Sequence, residues 1–461
     1  MSILAEQIGL LADTAPIECR GTVVEVRGLA VRVADLPAPV GATVRIQTLG
    51  GRGAVVEGQV IGVQEEACIV MPIGATVGIC RGDRVVAGQY VQMLSAGEGL
   101  LGRVLDGMGR PIDRLGPLTD TVPRPLYARV IDPLDRPLID TPLATGIRAI
   151  DALISVGRGQ RLGVFAAPGV GKSVLLGMMT RATAADVCVL ALVGERGREV
   201  RDFIENQLGV EGLRKSVVVC ATGDEPPLLR LRAAMTAAAV AEYFRDQGKD
   251  VLLIMDSVTR FCQAQRQIGL AAGEPPATKG YPPSVFTMLP VLLERSGRTS
   301  RGSITGFYAV LVEGDDMNDP VADAARSVLD GHILLSRHLA HRGHWPAIDA
   351  VESISRVCDA VIDAQHQAAR REVLRLISSY SQVEDLLNIG AYAAGSNPDF
   401  DLAIAAKGAI DNLLQQGMSE RQTGDFARTR KQLLALTEQI KHVRQQVSES
   451  RGRNLTPART G

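Results

Sequence analysis

Apolar and polar positions change rhythm twice along this chain. From Ile17 to about Met93 they alternate in short runs, "GTVVEVRGLAVRVADL", "AVVEGQVIGVQ" and "ACIVMPI", each closed by Gly, Pro or Asp. Period-two alternation with frequent breakers predicts a small antiparallel β-barrel or sandwich. Residues 94–145 include "GRVLDGMGRPIDRLGPL" and "DPLDRPLIDTPL", which hold too many breakers for a regular element and predict a connector. From about residue 146, apolar runs at 161–166, 187–194, 217–222, 250–257 and 304–312 alternate with helical stretches. That order predicts a mainly parallel sheet covered by helices on both faces, an α/β fold. Beyond about residue 360 the pattern is helical. In the last helix, from about Asp425 to Ser450, Leu433, Leu436, Ile440, Val443 and Val447 recur every three or four residues, as in a coiled-coil seam or a docked helix face. The expected units are a barrel over 1–93, a connector over 94–145, an α/β core over 146–376 and a helical domain with a basic tail over 377–461.

Composition narrows the function classes. Hydrophobic residues at 46% and charged residues at 22% suit a soluble globular protein, and 50 Lys plus Arg against 51 Asp plus Glu give no global pull toward nucleic acid or anionic lipid. Seven cysteines, at 19, 68, 80, 188, 220, 262 and 358, show no metal-ligand spacing, so scattered thiols in a reducing cytosol are expected and no metal–thiolate site. Glu6 and Asp13 make the first residues a poor signal peptide, and apolar runs such as 187–193 fall short of the roughly 20 residues a membrane span needs. The expectation is a soluble protein that docks at a membrane through partners. From Arg421 onward basic residues outnumber acidic ones by about six, a docking face for acidic partners or a solvated helix end.

The chemistry concentrates in three segments. "FAAPGVGKSVLLG" follows the strand "RLGVFA" and opens a helix, the context a phosphate loop requires. Gly169 and Gly171 let backbone N–H groups approach phosphate, the helix start favours the anion, Lys172 reaches the β- and γ-phosphates, and Ser173 is a Mg²⁺ ligand. Ala166 stands where the generic pattern has glycine. The strand "VLLIMDS" delivers Asp256, a carboxylate able to hold Mg²⁺ through water. "LVGERGREVRDF" delivers Glu195 at a strand end, either to polarise an attacking water or to pair with Arg198 or Arg201 in a surface turn.

Together with "TGIRAIDALISVGRGQRLGVFAAPGVGKS", "GERGREVRDF", "DSVTRF", "GLAAGEPPATKGYPPSVF" and "HILLSRHLAHRGHWPAIDAVESISR", these segments resemble the rotary hexameric ATPases, above all the type III protein-export ATPases and their flagellar branch. The resemblance implies an N-terminal barrel, a central RecA-like mainly parallel P-loop domain and C-terminal helices, assembled as a homo-hexamer with sites at subunit boundaries. It makes Glu195 the catalytic glutamate, with Lys172, Arg196 and Arg260 at the same site, and Arg356 of "ESISR" an arginine finger donated to the neighbour. The nucleotide would sit on Ala167, Pro168, Gly169, Val170, Gly171, Lys172, Ser173 and Val174, with Mg²⁺ on Ser173 and Asp256. In "GHWPAIDA" the family has tyrosine before proline, stacked on adenine; here it is Trp345, the single tryptophan, which either stacks in its place or packs in the core. The export ATPases resemble this chain in having alanine at the position of Ala166. The implied activity is Mg²⁺-dependent ATP hydrolysis that frees chaperones and feeds unfolded substrates to an export gate. The implied partners are chaperone–substrate complexes, export-gate membrane proteins, a dimeric stator and a coiled-coil stalk, at the inner face of the cytoplasmic membrane.

Three alternatives compete. An ATP-synthase catalytic-type subunit shares the ring and the sites, and would differ in the "GLAAGEPPATKGYPPSVF" loop and the C-terminal helix tip. A ring helicase acting on RNA calls for a basic, aromatic-lined N-terminal domain, whereas residues 1–95 are slightly acidic with Tyr90 as their one aromatic; nucleic acid is not an expected partner. A non-catalytic structural subunit is disfavoured by the presence of Lys172, Glu195, Asp256 and Arg356.

Overall fold

The computed structural model describes residues 18–48, 54–88, 90–128, 131–312, 319–418, 420 and 425–454. The first residues, which carry Glu6 and Asp13, and the tail from 455 onward lie outside them.

The alternating N-terminal runs form six strands, β1 Arg20–Arg27, β2 Ala30–Ala34, β3 Thr43–Gln47, β4 Val55–Gln64, β5 Ala67–Pro72 and β6 Arg84–Ala87. They close as a barrel in the order β1-β2-β5-β4-β3-β6, because β6 pairs with both β3 and β1. Val23, Val31, Val33, Val44, Ile46, Val60, Val70 and Val85 fill its interior. Register shifts at Val23/Glu25 and Val60/Gly62 are bulges of the kind that bend strands enough to close, which makes a barrel of a pattern that also allowed a sandwich.

The connector is more regular than its breakers predicted. β7 (Met93–Ala96) pairs with β9 (Val122–Pro125), and β8 (Val104–Leu105) joins the edge of the central sheet beside β14 (Ser216–Thr222). The breakers limit these strands to two to four residues without abolishing them.

After the short pair β10 (Pro142–Leu143) and β11 (Val156–Gly157) come β12 (Arg161–Ala166), β13 (Val187–Glu195), β15 (Asp250–Asp256), β16 (Gly297–Arg298), β17 (Ser303–Leu311), β18 (Gly331–Leu335) and β19 (Ile348–Ser355). The central sheet runs β19-β18-β12-β17-β15-β13-β14-β8, with β16 off this path against β17. Apart from the antiparallel β18–β19 and β16–β17 pairs it is parallel, as the continuous apolar runs predicted.

Side chains alternate between two cores. Leu162, Val164, Leu190, Leu192, Leu252 and Ile254 face one core, whereas Phe165, Val189, Ala191, Val193, Leu253 and Met255 face the other. The first core takes in α1 (Arg148–Leu153), α2 (Lys172–Ala182) and the C-terminal helices; the second takes α3 (Pro227–Asp246), α4 (Val258–Ala272) and α5 (Pro283–Leu293).

The C-terminal helices are α6 (Ala364–Asn388), α7 (Pro398–Leu414) and α8 (Phe426–Asn454). The Asp363 carboxylate caps α6 through His366 N–H, and Asn397 caps α7 with Pro398 at its first position. Leu433, Leu436 and Ile440 of α8 are buried in the first core, so the period in α8 marks a docked face rather than a free coiled-coil seam. Part of its basic charge is neutralised within the chain, since Arg430 pairs with Asp363 and Arg444 with Glu372.

Candidate functional site

The site lies at the carboxyl ends of the parallel strands, where open α/β sheets bind ligands. The loop after β12 turns through Gly169 and Gly171, at φ +84° and +83°, a left-handed region that favours glycine. Gly171 is doubly constrained, because a Cβ there would come within 2.8 Å of the Trp345 ring. Ala166 ends β12 with its methyl buried in the first core, so alanine fits where the generic pattern has glycine. Val170 is buried, Pro168, Gly169 and Ser173 are exposed, and the turn opens α2 at Lys172.

Asp256 shares the face of Leu252 and Ile254 on β15 and ends the strand with its side chain 4% exposed. The Lys172 ammonium donates a hydrogen bond to Asp256 Oδ1 and lies 3.9 Å from Glu195 Oε1. Glu195 arrives there through a bulge. The register of β13 against β14 shifts between Val193 and Glu195, at Gly194, whose φ is +73°. In a regular strand Glu195 would share the face of Val193 and enter the second core; the extra residue re-aims it toward Lys172. Burial, and next the Asp256 carboxylate, push the Glu195 carboxyl up to about 7; Lys172 opposes them and Glu199 adds to them. Of the two partners expected in a surface turn, Arg201 pairs with Glu205, and Glu195 itself, its side chain 19% exposed, faces Lys172.

Arg260, in the first turn of α4, packs its stem on Gly194 beside Glu195, and its Nη1 donates to Gln263. Arg230 of α3 lies close enough that the Arg260 charge, after burial, lowers its pKa. Sequence reasoning passed over Arg230; a helix spacing of apolar residues carries no mark of it. Both arginines bury an Nε with no hydrogen-bond partner, leaving positive charge suited to an anion. Arg196 is mostly exposed and pairs with Glu199, so its side chain stands outside this cluster.

Trp345 and Arg356 are separated by the reversal of β19. Trp345 precedes β19 and stands over Gly171, 42% exposed, which removes the core-packing reading. The Asp256–Ser257 and Trp345–Pro346 peptides are both cis. Arg356 follows β19 at the opposite end of the sheet. Its N–H donates to Asp330 O, and Asp330 N–H to Arg161 O, at the first residue of β12, whereas the phosphate loop leaves the last. Five residue steps, roughly 17 Å of strand, lie between them. The Arg356 side chain is exposed, with no hydrogen bond or ion pair among the described residues.

The positive charges of Lys172, Arg230 and Arg260 and the start of α2 suit an anionic ligand. The oxygen donors of Ser173, Asp256 and Glu195 suit a hard dication, and no group of three or more His, Cys, Asp or Glu able to hold a metal occurs among the described residues. That set fits Mg²⁺, which keeps its waters and arrives with phosphates rather than in an all-protein cage.

Comparison with known proteins agrees with this geometry. The ATP synthase alpha/beta family, nucleotide-binding domain, matches residues 146–355, and the T3SS EscN ATPase C-terminal domain matches 362–435. The chain is 51% identical over 419 residues to the flagellum-specific ATP synthase of Pseudomonas aeruginosa, covering 90% of this chain and 92% of that protein. It is 47% identical over 377 residues to the type 3 secretion system ATPase of Sinorhizobium fredii, covering 82% and 83%. The assembled ATPase EscN of the enteropathogenic E. coli type III secretion system superposes with a TM-score of 0.85 at 43% identity, over 90% of this chain and 99% of that one. EscN in complex with its central stalk EscO gives 0.83 at 42% identity, with the same coverage. With a phosphate loop, a buried Lys–Asp pair and a neighbouring glutamate on a fold shared along most of its length, the chain belongs to the ATP synthase alpha/beta family and, within it, to the flagellar and type III secretion ATPases.

Proposed function

We propose that the chain hydrolyses MgATP in a homo-hexameric ring that serves flagellar protein export. The observation that carries the reading is the convergence of Lys172, Asp256 and Glu195 at the strand ends, beneath a phosphate loop that Trp345 overhangs. Glu195 holds and orients the attacking water and takes up its proton. Lys172 leaves Asp256 for the β- and γ-phosphates when nucleotide binds. Ser173 directly, and Asp256 through water, would hold Mg²⁺, which supplies charge neutralisation at the phosphates. Arg260 contributes positive charge on the same side, and Trp345 stacks on the base. Arg196 is placed by resemblance at the same site, and its exposed side chain would have to leave Glu199 to act across a boundary.

Arg356 acts in trans. It sits about a sheet's length from its own phosphate loop and is exposed without a partner among the described residues, so a neighbouring subunit's nucleotide is its natural target. This is the argument for a closed ring, in which every site is completed by the next subunit. The EscN complex with its stalk EscO supports a coiled-coil stalk partner here. The dimeric stator, the export-gate membrane proteins and the chaperone–substrate complexes follow from the same reading. No helix among the described residues is long and apolar enough to cross a membrane, so contact with the cytoplasmic membrane would run through these partners. Release of chaperones and entry of unfolded substrates are the work to which hydrolysis is coupled.

The test is a pull-down with the intact protein combined with ATPase assays. Stator and export-gate proteins should be captured, and the wild-type and Glu195→Gln proteins should bind ATP alike while only the first turns it over. Capture of membrane-rotor subunits would favour an ATP-synthase role, and wild-type turnover by Glu195→Gln would remove the proposed mechanism.

A further inference from the structure

Trp345 does not stand over the phosphate loop by its own packing alone. Its carbonyl accepts a 2.8 Å hydrogen bond from the N–H of Gln416, in the segment that joins α7 to α8. Gln416 is 5% exposed, and both of its side-chain polar atoms are engaged. Oε1 accepts from Arg148 N–H at 3.0 Å, and Nε2 donates to Gly146 O at 2.9 Å. Arg148 returns the contact, donating from Nε to Leu413 O at 2.8 Å and from Nη2 to Gln415 O, and pairing with Glu420.

The same segment also grips the far end of the phosphate-loop helix. Gly146, at φ +77°, lies so close to Ala182, the last residue of α2, that a Cβ there would come within 2.3 Å of the Ala182 methyl. Arg181, one residue earlier, donates to Met418 O at 3.1 Å. Residues 416–418 therefore touch α2 at its C-terminal end, through Met418, and at its start, through Gln416 and Trp345. Gln416 thus joins the segment before α1, through its side chain, to the Trp345 carbonyl, through its own N–H.

We propose that Gln416 is a positioning residue for recognition of the nucleotide base: it sets the height of Trp345 over Gly171 and ties that height to the α7–α8 segment. Gln416 touches no nucleotide. It acts through Trp345, and the inference rests on the reading of Trp345 as the base platform. Truncating it leaves Gly146 O and Arg148 N–H unpaired in a buried place, so the segment shifts and takes the Trp345 carbonyl with it. Losing two such bonds corresponds to about ten-fold in affinity if half their strength acts on the bound geometry.

Because Trp345 is the single tryptophan, its fluorescence reports this position in the full chain without a label. The experiment compares wild type, Gln416→Ala and Trp345→Ala. It measures KM and kcat for MgATP in all three, and acrylamide quenching of tryptophan emission without nucleotide in the first two. The expected result is a KM raised about ten-fold in Gln416→Ala, kcat within about two-fold, and stronger quenching. A purely structural role would instead lower kcat and the melting temperature with KM and quenching unchanged, and would overturn the proposal. Unchanged KM and quenching in Gln416→Ala, with KM raised in Trp345→Ala, would overturn it while leaving the base-stacking reading intact. An unaltered KM in Trp345→Ala would remove that reading and the inference with it. Should Gln416→Ala fail to fold, Gln416→Glu keeps the acceptor for Arg148 N–H, loses the donor to Gly146 O, and is read in the same way.

Discussion

Glu195 makes the most quantitative prediction. A base that takes a proton from water must be ionised, and in the nucleotide-free site this carboxyl is pushed up to about 7. About a tenth of it is therefore ionised at pH 6 and about nine tenths at pH 8. The profile of kcat/KM, which reports the free enzyme, should accordingly rise about nine- to ten-fold between those pH values. The kcat profile reports the loaded site instead. Glu199 is among the groups that raise Glu195, and its side chain is half-exposed; Glu199→Gln should therefore move the limb modestly downward. Glu195→Gln should lower kcat by roughly 10² to 10⁴ and abolish the limb. Steady-state ATPase rates from pH 5.5 to 8.5 at constant ionic strength and excess Mg²⁺ measure all of this. A flat wild-type profile, or the same limb surviving in the Glu195→Gln residual activity, would refute the assignment of the base. A limb moved upward by Glu199→Gln would refute the electrostatics.

Three further outcomes follow from particular contacts. Mixing Arg356→Ala with Lys172→Ala subunits should restore part of the ATPase activity each lacks alone, because some mixed boundaries pair an intact loop with an intact finger; no rescue in verified mixed rings would count against donation in trans. Leu436→Ala removes a side chain buried in the first core, where α8 packs on α1, α6 and α7, and should cost about 2 to 5 kcal/mol in denaturant unfolding. A cost below about 1 kcal/mol would contradict the docking of α8. Gly169→Ala and Gly171→Ala impose the same left-handed backbone, but only the second meets the Trp345 ring. Nucleotide-free tryptophan emission should change in Gly171→Ala and stay as wild type in Gly169→Ala, and equal changes in both would show that the contact is not what holds the ring.

Legibility in the sequence followed the range of the interactions. The apolar runs marked five strands of the central sheet nearly to the residue, because a strand buried on both faces must be apolar at every position. The phosphate loop was readable for a similar reason, since glycines at two left-handed positions and a lysine opening a helix are local requirements. The position of Glu195 was only half readable. Its place at a strand end was local, but its face depended on the Gly194 bulge, and a bulge appears in the sequence as no more than one glycine.

By itself the sequence determined the three-part architecture, the phosphate loop, the candidate carboxylates and, through family likeness, Arg356 as a candidate arginine finger. These are properties of period, spacing and residue type within a few tens of residues. Only the tertiary structure decided what those residues face. The antiparallel return of β19 puts Trp345 above its own phosphate loop and carries Arg356 to the far end of the sheet. The packing of α8 into the first core turns an ambiguous heptad-like stripe into a docked helix. The link from Gln416 to Gly146 and Arg148 joins segments about 270 positions apart. No local pattern encodes such pairs, because the free energy that selects them comes from burying the sheet face and satisfying buried polar groups once the chain has closed.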